Sequence, residues 1–224
     1  MNSTDFRKLV AKHFSPSIRK LGWKGSGFDF RKIEDNHVVN IFGIQGSWMG
    51  GSVCCETAVH FDFFSDLSGQ KDFNKTKYSS CLLRSRLSPD GEGDYHWVFS
   101  DNQTQNIESV KSILKAFENH GLNFYKEFQD FPHPFVDIRV MDLEVNNNYK
   151  VLDKYYVGNG MGIARFLKEI NLFIGNRTVA EEFSEYGIKM ATELADRLLV
   201  GRKTKTYKKT EEFINMKIKE FKIK

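Results

Sequence analysis

Disulfide chemistry, membrane spans and catalytic signatures are what this sequence has least of. Only three cysteines occur in 224 residues. Cys54 and Cys55 are neighbours on an expected strand, so they point to opposite faces and a bond between them would be badly strained. Cys81 stands alone, no spacing resembles a zinc site, and Val53 and Glu56 beside the pair offer no cation to activate a thiol. Three reduced, mostly buried thiols are expected. No apolar run approaches about eighteen residues, so no transmembrane helix is expected. The start, Met1-Asn2-Ser3-Thr4-Asp5, lacks the basic-then-apolar plan of a secretion signal. An intracellular, cytoplasmic protein is expected.

Catalytic motifs are equally scarce. No Ser sits in a Gly-x-Ser-x-Gly elbow. His13, His37, His96, His120 and His133 are scattered, with no i, i+4 pair and no cysteine pair nearby. Gly158-Asn159-Gly160-Met161-Gly162 precedes a helix, but it has neither the βαβ context nor the lysine of a phosphate loop and reads as a hinge. Asp142, Glu144 and Lys150 have the wrong spacing for a nuclease. No catalytic residue, metal ligand or cofactor is therefore assigned.

What is present is a soluble, globular composition: 40% hydrophobic and 28% charged residues, with 20 Phe to fill a core. The net charge of +4 is uneven. Arg202–Lys224 holds nine Lys or Arg against three Glu, a local +6, which leaves −2 on the rest.

Periodicity predicts the elements. Ser3 or Thr4 caps a helix with Phe6, Leu9, Val10 and Phe14 on one stripe. Pro16 kinks or restarts it with Ser15 as cap, Ile18 and Leu21 continue it, and Gly22 ends it. Strands follow near Gly27–Ile33 and His37–Ile44, joined at Glu34-Asp35-Asn36. Cys54–Phe64 alternates most clearly. Cys54, Glu56, Ala58, His60 and Asp62 share one face, and Cys55, Thr57, Val59, Phe61 and Phe63 the buried one. Further strands are expected at Tyr78–Leu87 and Tyr95–Phe99. From Ile107 the period becomes helical, with Gly121 as a stop. Phe135–Leu143 reads as a strand and Asn146-Asn147-Asn148 as a loop. Two helices follow Gly158, the second opened by a Thr178–Glu181 capping box and bent at Gly187. The tail holds an amphipathic stretch with Phe213, Met216 and Phe221. The expected class is α+β: an N-terminal helix, an antiparallel β-sheet, then a mainly helical C-terminal part. The expected divisions are 1–100, 101–201 and a basic tail 202–224, the last an appendage to the fold.

Pro16 with Leu21-Gly22-Trp23, then Phe28 and Arg31, forms one part of a distributed pattern. Val39-Asn40 with Gln45 and Ser47, then His60-Phe61, Cys81, Arg86-Leu87 and Trp97, forms the other. Together they resemble the bacterial domain of unknown function 4304 over roughly residues 5–99. Trp23 stands where Phe is usual, and the helical extension past residue 100 is a departure. The resemblance implies a helix-first α+β domain in bacterial cytoplasm, in the company of toxin-immunity or defence genes. It supplies no catalytic residues.

Three surfaces compete for function. Glu56, His60 and Asp62 on one strand, with Arg84 and Arg86 on another, converge on one polar face if the strands are neighbours. Such a face is either a solvated surface with weak cross-strand ion pairs or a site for acid–base chemistry on a phosphate-containing substrate. Trp48, among Gly46, Gly50 and Gly51, is either a cap on the sheet edge or an interface anchor. Arg202, Lys203, Lys205, Lys208 and Lys209, interleaved with Tyr207 and Phe213, form either a solvated tail or a nucleic-acid contact. The leading expectation is a non-enzymatic binding protein whose partner is another protein, using Trp48, Glu56, His60, Asp62, Arg84 and Arg86. An enzyme working through the His60 face is the second, and a nucleic-acid-binding module working through the tail is the third.

Overall fold

The computed structural model describes residues 2–144, 160–199 and 204–223, which fall into two compact units, Met1–Phe131 and Pro132–Lys224. In the first, α1 (Ser3–His13) is capped by Asn2 rather than Ser3 or Thr4, its Oδ1 accepting from Asp5 N–H at 2.9 Å. Pro16 falls in the first turn of α2 (Ser15–Lys20), where its missing donor does no harm. Ser15 is not the cap, because its hydroxyl donates back to the Val10 carbonyl. Phe6, Val10, Phe14 and Ile18 are fully buried along one stripe, and Gly22, at φ +87°, ends the helix.

The sheet is antiparallel and six-stranded: β1 (Lys24–Ser26), β2 (Asp29–Ile33), β3 (Val38–Gly46), β4 (Ser52–Phe61), β5 (Leu83–Leu87) and β6 (Trp97–Val98). They run in spatial order β1-β2-β3-β4-β5, and β6 also pairs with β4. The strand expected over Gly27–Ile33 begins only at Asp29, because Gly27-Phe28 is the turn that joins it to β1. The β2–β3 turn is a three-residue loop, Asp35–His37, closed by Glu34 N–H to the Val38 carbonyl at 2.9 Å. His37 takes the left-handed conformation at φ +70° that this loop type requires.

Register places Phe30, Phe42, Thr57 and Ser85 in one row across β2–β5. That face packs on the helices. The rings of Phe30, Phe42 and Phe117 all lie within 6 Å of Phe14. Phe117 opens the wider turn Phe117–Gly121, which follows α3 (Gln103–Ala116) and runs straight into α4 (Leu122–Lys126). Gly121 is therefore no stop. A Cβ there would meet the Thr57 methyl at 3.5 Å, an ordinary contact distance, and the Phe117 ring more tightly at 3.2 Å, so the turn sits against β4.

The opposite face is also covered, which overturns the expectation of a solvated surface. Val39, Ile41 and Ala58 meet Cys81, Phe73 and Tyr78, all from the long connection after β4. The Tyr78 ring sits against Gly43, where a Cβ would overlap it. All of β4 except Ser52 is buried, so alternation along it separates two interiors rather than inside from outside. The expected strand from Tyr78 begins only at Leu83, after a 3₁₀ turn Tyr78–Ser80, and the Tyr95–Phe99 strand shrinks to β6.

In the second unit a 3₁₀ turn (Phe135–Asp137) and α5 (Val140–Glu144) replace the expected strand. The Asn146-Asn147-Asn148 loop and Gly158-Asn159 lie outside the described residues, while Gly160 opens α6 (Gly160–Phe173). α7 (Arg177–Leu199) begins one residue before the expected cap, and Glu181 pairs with Arg177 at 3.0 Å instead of closing a capping box. α8 (Thr204–Phe221) corrects the view of the tail as an appendage. Its Ile214 and Phe221 are buried, and Ser184 Oγ donates to the Phe221 carbonyl at 2.6 Å. Gly187 is the seat for the Phe221 ring, not a bend in an interrupted helix. No helix among the described residues is long and apolar enough to cross a membrane.

Candidate functional site

The polar residues singled out on the sheet resolve into separate groups. Glu56 stands opposite Arg86 across β4–β5, and Arg84 stands opposite Ala58. Their side chains converge on one carboxylate. Arg84 Nη1 is 3.3 Å from Glu56 Oε2, and Arg86 Nη2 is 3.3 Å from Oε1. Arg86 also donates to Cys54 Sγ and reaches Asp94 at 3.8 Å. Glu56 is buried, whereas the Arg84 side chain is 39% exposed, so water meets the clamp through its arginines. Chemically this arrangement neutralises a buried carboxylate rather than freeing it for proton transfer.

The neighbouring titratable groups are quiet as nucleophiles. Burial raises the Cys54 thiol pKa, with Arg86 opposing it. Burial raises Cys55 and Cys81 much further. Burial, then the charge of Glu56, pushes the Tyr78 phenol up to about 12. None of the three cysteines is paired.

His60 and Asp62 do not join the clamp. Four residues along a strand place His60 about 13 Å from Glu56. His60 is buried, its Nε2 lying 3.0 Å from the Phe64 carbonyl and its ring edge-on to Phe64. Asp62 lies past the end of β4 and pairs with His37 Nδ1 at 3.0 Å. Both hold the start of the long connection over the sheet.

Trp48 is the opposite case. It is 94% exposed and Met49 is 77% exposed, so Trp48 does not cap the sheet edge. The β3–β4 turn that carries them is well ordered by hydrogen bonds. Ser47 N–H donates to Ser52 O, Gly50 N–H to Ser47 O and Met49 N–H to Ser47 Oγ. Gly50 and Gly51, at φ +79° and +70°, make the reversal without strain. Val98, opposite Ser52 at the same end of the sheet, is half exposed.

Of the tail cations, Arg202 and Lys203 lie outside the described residues, as does the Lys205 side chain. Lys208 and Lys209 are exposed on α8. Tyr207 is 38% and Phe213 44% exposed.

One site was not anticipated. A cleft of about 240 Å³ is lined by Glu34, Asp35, Asn36, Val38, Asn40, Tyr125, Phe128 and Gln129. Its signal in the sequence is Asn40, a polar residue inside the apolar run Val38-Val39-Asn40-Ile41-Phe42. Asn40 is 4% exposed, and its Nδ2 donates to Glu34 Oε1 at 2.9 Å. Asn36 Nδ2 donates to the Phe128 and Gln129 carbonyls. The side-chain oxygens of both asparagines are buried without a partner.

Comparison with known proteins adds a family and no activity. No curated protein and no solved structure matches the chain. Residues 14–127, just over half of the sequence and extending past the sheet through α3 and α4, match the family model described as Domain of unknown function (DUF4304), and the chain belongs to that family.

Proposed function

We propose that this chain is a non-enzymatic binding protein of the bacterial cytoplasm, an immunity or defence accessory that recognises another protein through the tip of the β3–β4 hairpin. The observation that carries the proposal is Trp48, 94% exposed beside Met49 on a turn held by its own hydrogen bonds. A fully exposed indole on an ordered turn loses little conformational freedom when it is buried, which is why Trp is enriched among binding hot spots. Arg84 and Arg86, partly exposed on neighbouring β5, supply polar rim contacts, while Glu56 keeps them extended. Catalysis through this face would need His60, Glu56 and Arg84 within reach of one substrate atom. The buried His60 and the clamped Glu56 favour binding over chemistry.

The test is co-purification with the products of neighbouring genes, using the native chain and Trp48→Ser. A partner bound by the native chain and lost by about thirtyfold or more in Trp48→Ser supports the proposal, that loss being a hot-spot effect of about 2 kcal/mol. Equal affinity in both chains overturns it.

A further inference from the structure

The inner face of α8, with Ile214 and Phe221 buried, is used up by packing within its own unit. Its outer face nevertheless keeps large apolar side chains in water. Phe213 is 44% and Met216 49% exposed, and the three-residue step between them makes them neighbours on the helix surface.

Spacing sorts this outer face into two adjacent rows. Lys209, Phe213, Met216 and Glu220 form one, and Lys208, Glu212, Asn215 and Lys219 form the other. The apolar pair thus sits in the middle, with Lys208 and Lys209 at one end and Lys219, followed by Lys222, at the other. The two ends are about 15 Å apart along the axis. All four lysines are exposed, and none makes an ion pair or hydrogen bond among the described residues. Lys217, whose Nζ lies 5.6 Å from the Phe213 ring centroid, holds Glu220 at 3.1 Å. Glu212 is therefore the one uncommitted acid in the two rows.

We propose that this face docks on an anionic lipid surface, with Phe213 and Met216 entering between the headgroups and the lysines at either end meeting lipid charges. The +6 balance of Arg202–Lys224 supplies the attraction. Three features favour lipid over other polyanions. The cations of α8 are lysines without an arginine, and a lysine stem lies along apolar surface while its ammonium reaches out to a headgroup. Nucleic-acid phosphates instead favour the planar fork of arginine. A phosphate backbone also offers nothing to a methionine, whereas the acyl boundary takes both apolar side chains out of water. Finally, Tyr207 is six residues from Phe213 and so about 120° round the helix, too far to join it in one stacking platform. No described helix is long and apolar enough to cross a membrane, so the contact is peripheral. It uses neither Trp48 nor the sheet and stands independently of the hairpin proposal.

The full chain is mixed with vesicles of phosphatidylcholine alone and of phosphatidylcholine with roughly one-third phosphatidylglycerol, and bound protein is measured by sedimentation. Oligo(dT) and polyglutamate are titrated in parallel as soluble polyanions. The expected result is binding to the anionic vesicles only. It weakens about tenfold or more when Lys208→Ala and Lys209→Ala are combined, and likewise when Phe213→Ser and Met216→Ser are combined. All four side chains are exposed, so both variants keep native melting. Trp48→Ser leaves vesicle binding unchanged, which separates this face from the hairpin. Polyanion binding as tight as vesicle binding and indifferent to the loss of Phe213 and Met216 identifies a general charge contact and overturns the proposal. Vesicle binding that is lost in Trp48→Ser, kept in the Phe213→Ser, Met216→Ser chain, or absent at about 1 mM lipid overturns it as well.

Discussion

Glu56 and Arg86 face each other across β4 and β5, with Arg86 Nη2 3.3 Å from Glu56 Oε1 and Arg84 holding the other oxygen at the same distance. A set of charges that reads as catalytic in one dimension is therefore closed on itself in three. Two arginines share one buried carboxylate, and Asp94 and Cys54 take up the remaining reach of Arg86.

Removing the carboxylate exposes the strength of that clamp. Glu56→Ala leaves two guanidinium groups without their common partner and is expected to destabilise the chain by about 2–3 kcal/mol. This is below the ~3–5 kcal/mol typical of broken buried pairs, because Arg84 is partly solvated. Urea denaturation measures it, and a change under about 0.5 kcal/mol would show that water already does the work of Glu56.

Phe61 and His60 are adjacent on β4 and buried on opposite sides of it. Phe61→Ala is expected to cost about 3–5 kcal/mol through the lost ring and the cavity. His60→Ala is expected to cost about 1–3 kcal/mol, because its ring packs on Phe64 and its Nε2 meets the Phe64 carbonyl. Denaturant melts that ranked His60 above Phe61 would place the main core on the other face of the sheet.

The seat for Phe221 on Gly187 makes α8 part of its unit's core. In Gly187→Ala the new methyl collides with the ring, an overpacking cost of about 1–3 kcal/mol that is partly offset by the better helix propensity of alanine. A chain ending at residue 201 is expected to melt about 5 °C lower or more. An unchanged melting temperature in both would return the segment to the status of a loose arm.

Alkaline pH should unfold the protein earlier than its exposed groups alone would. In the folded chain burial raises the Cys55 and Cys81 thiols above the ordinary 9.0, and burial raises the Tyr125 phenol and takes Tyr78 to about 12. The unfolded chain releases these protons first, so it binds fewer of them and stability falls as pH rises. The contribution is fully present below about pH 9 and is lost progressively up to about pH 12. Stability measured by urea at several pH values should decline over that window, and replacing Cys81 by Ala should flatten part of the slope. The same burial predicts slow native-state alkylation of all three thiols at pH 8.

Local pattern determined much of this protein. The stripe Phe6, Val10, Phe14, Ile18, the stop at Gly22 and the alternation of Cys54–Phe61 are readable because helix and strand periodicities are properties of a few consecutive residues. The distributed pattern from Pro16 to Trp97 likewise carried the family. What tertiary structure alone decided is which surfaces remain surfaces. The connection from Asp62 to Leu82 folds back over Val39, Ile41 and Ala58 and buries His60, and no local periodicity announces a covering loop. Phe135–Leu143 turned helical because a short apolar run has no period of its own and takes the conformation that its packing favours. Gly121 and Gly187 look like helix breaks in sequence, and each is a contact point, for Thr57 and for Phe221. Asn36 and Asn40 are unremarkable as letters. They line a cleft only because the β2–β3 turn meets the turn after α4, where Asn36 donates to Phe128 and Gln129 and Asn40 to Glu34.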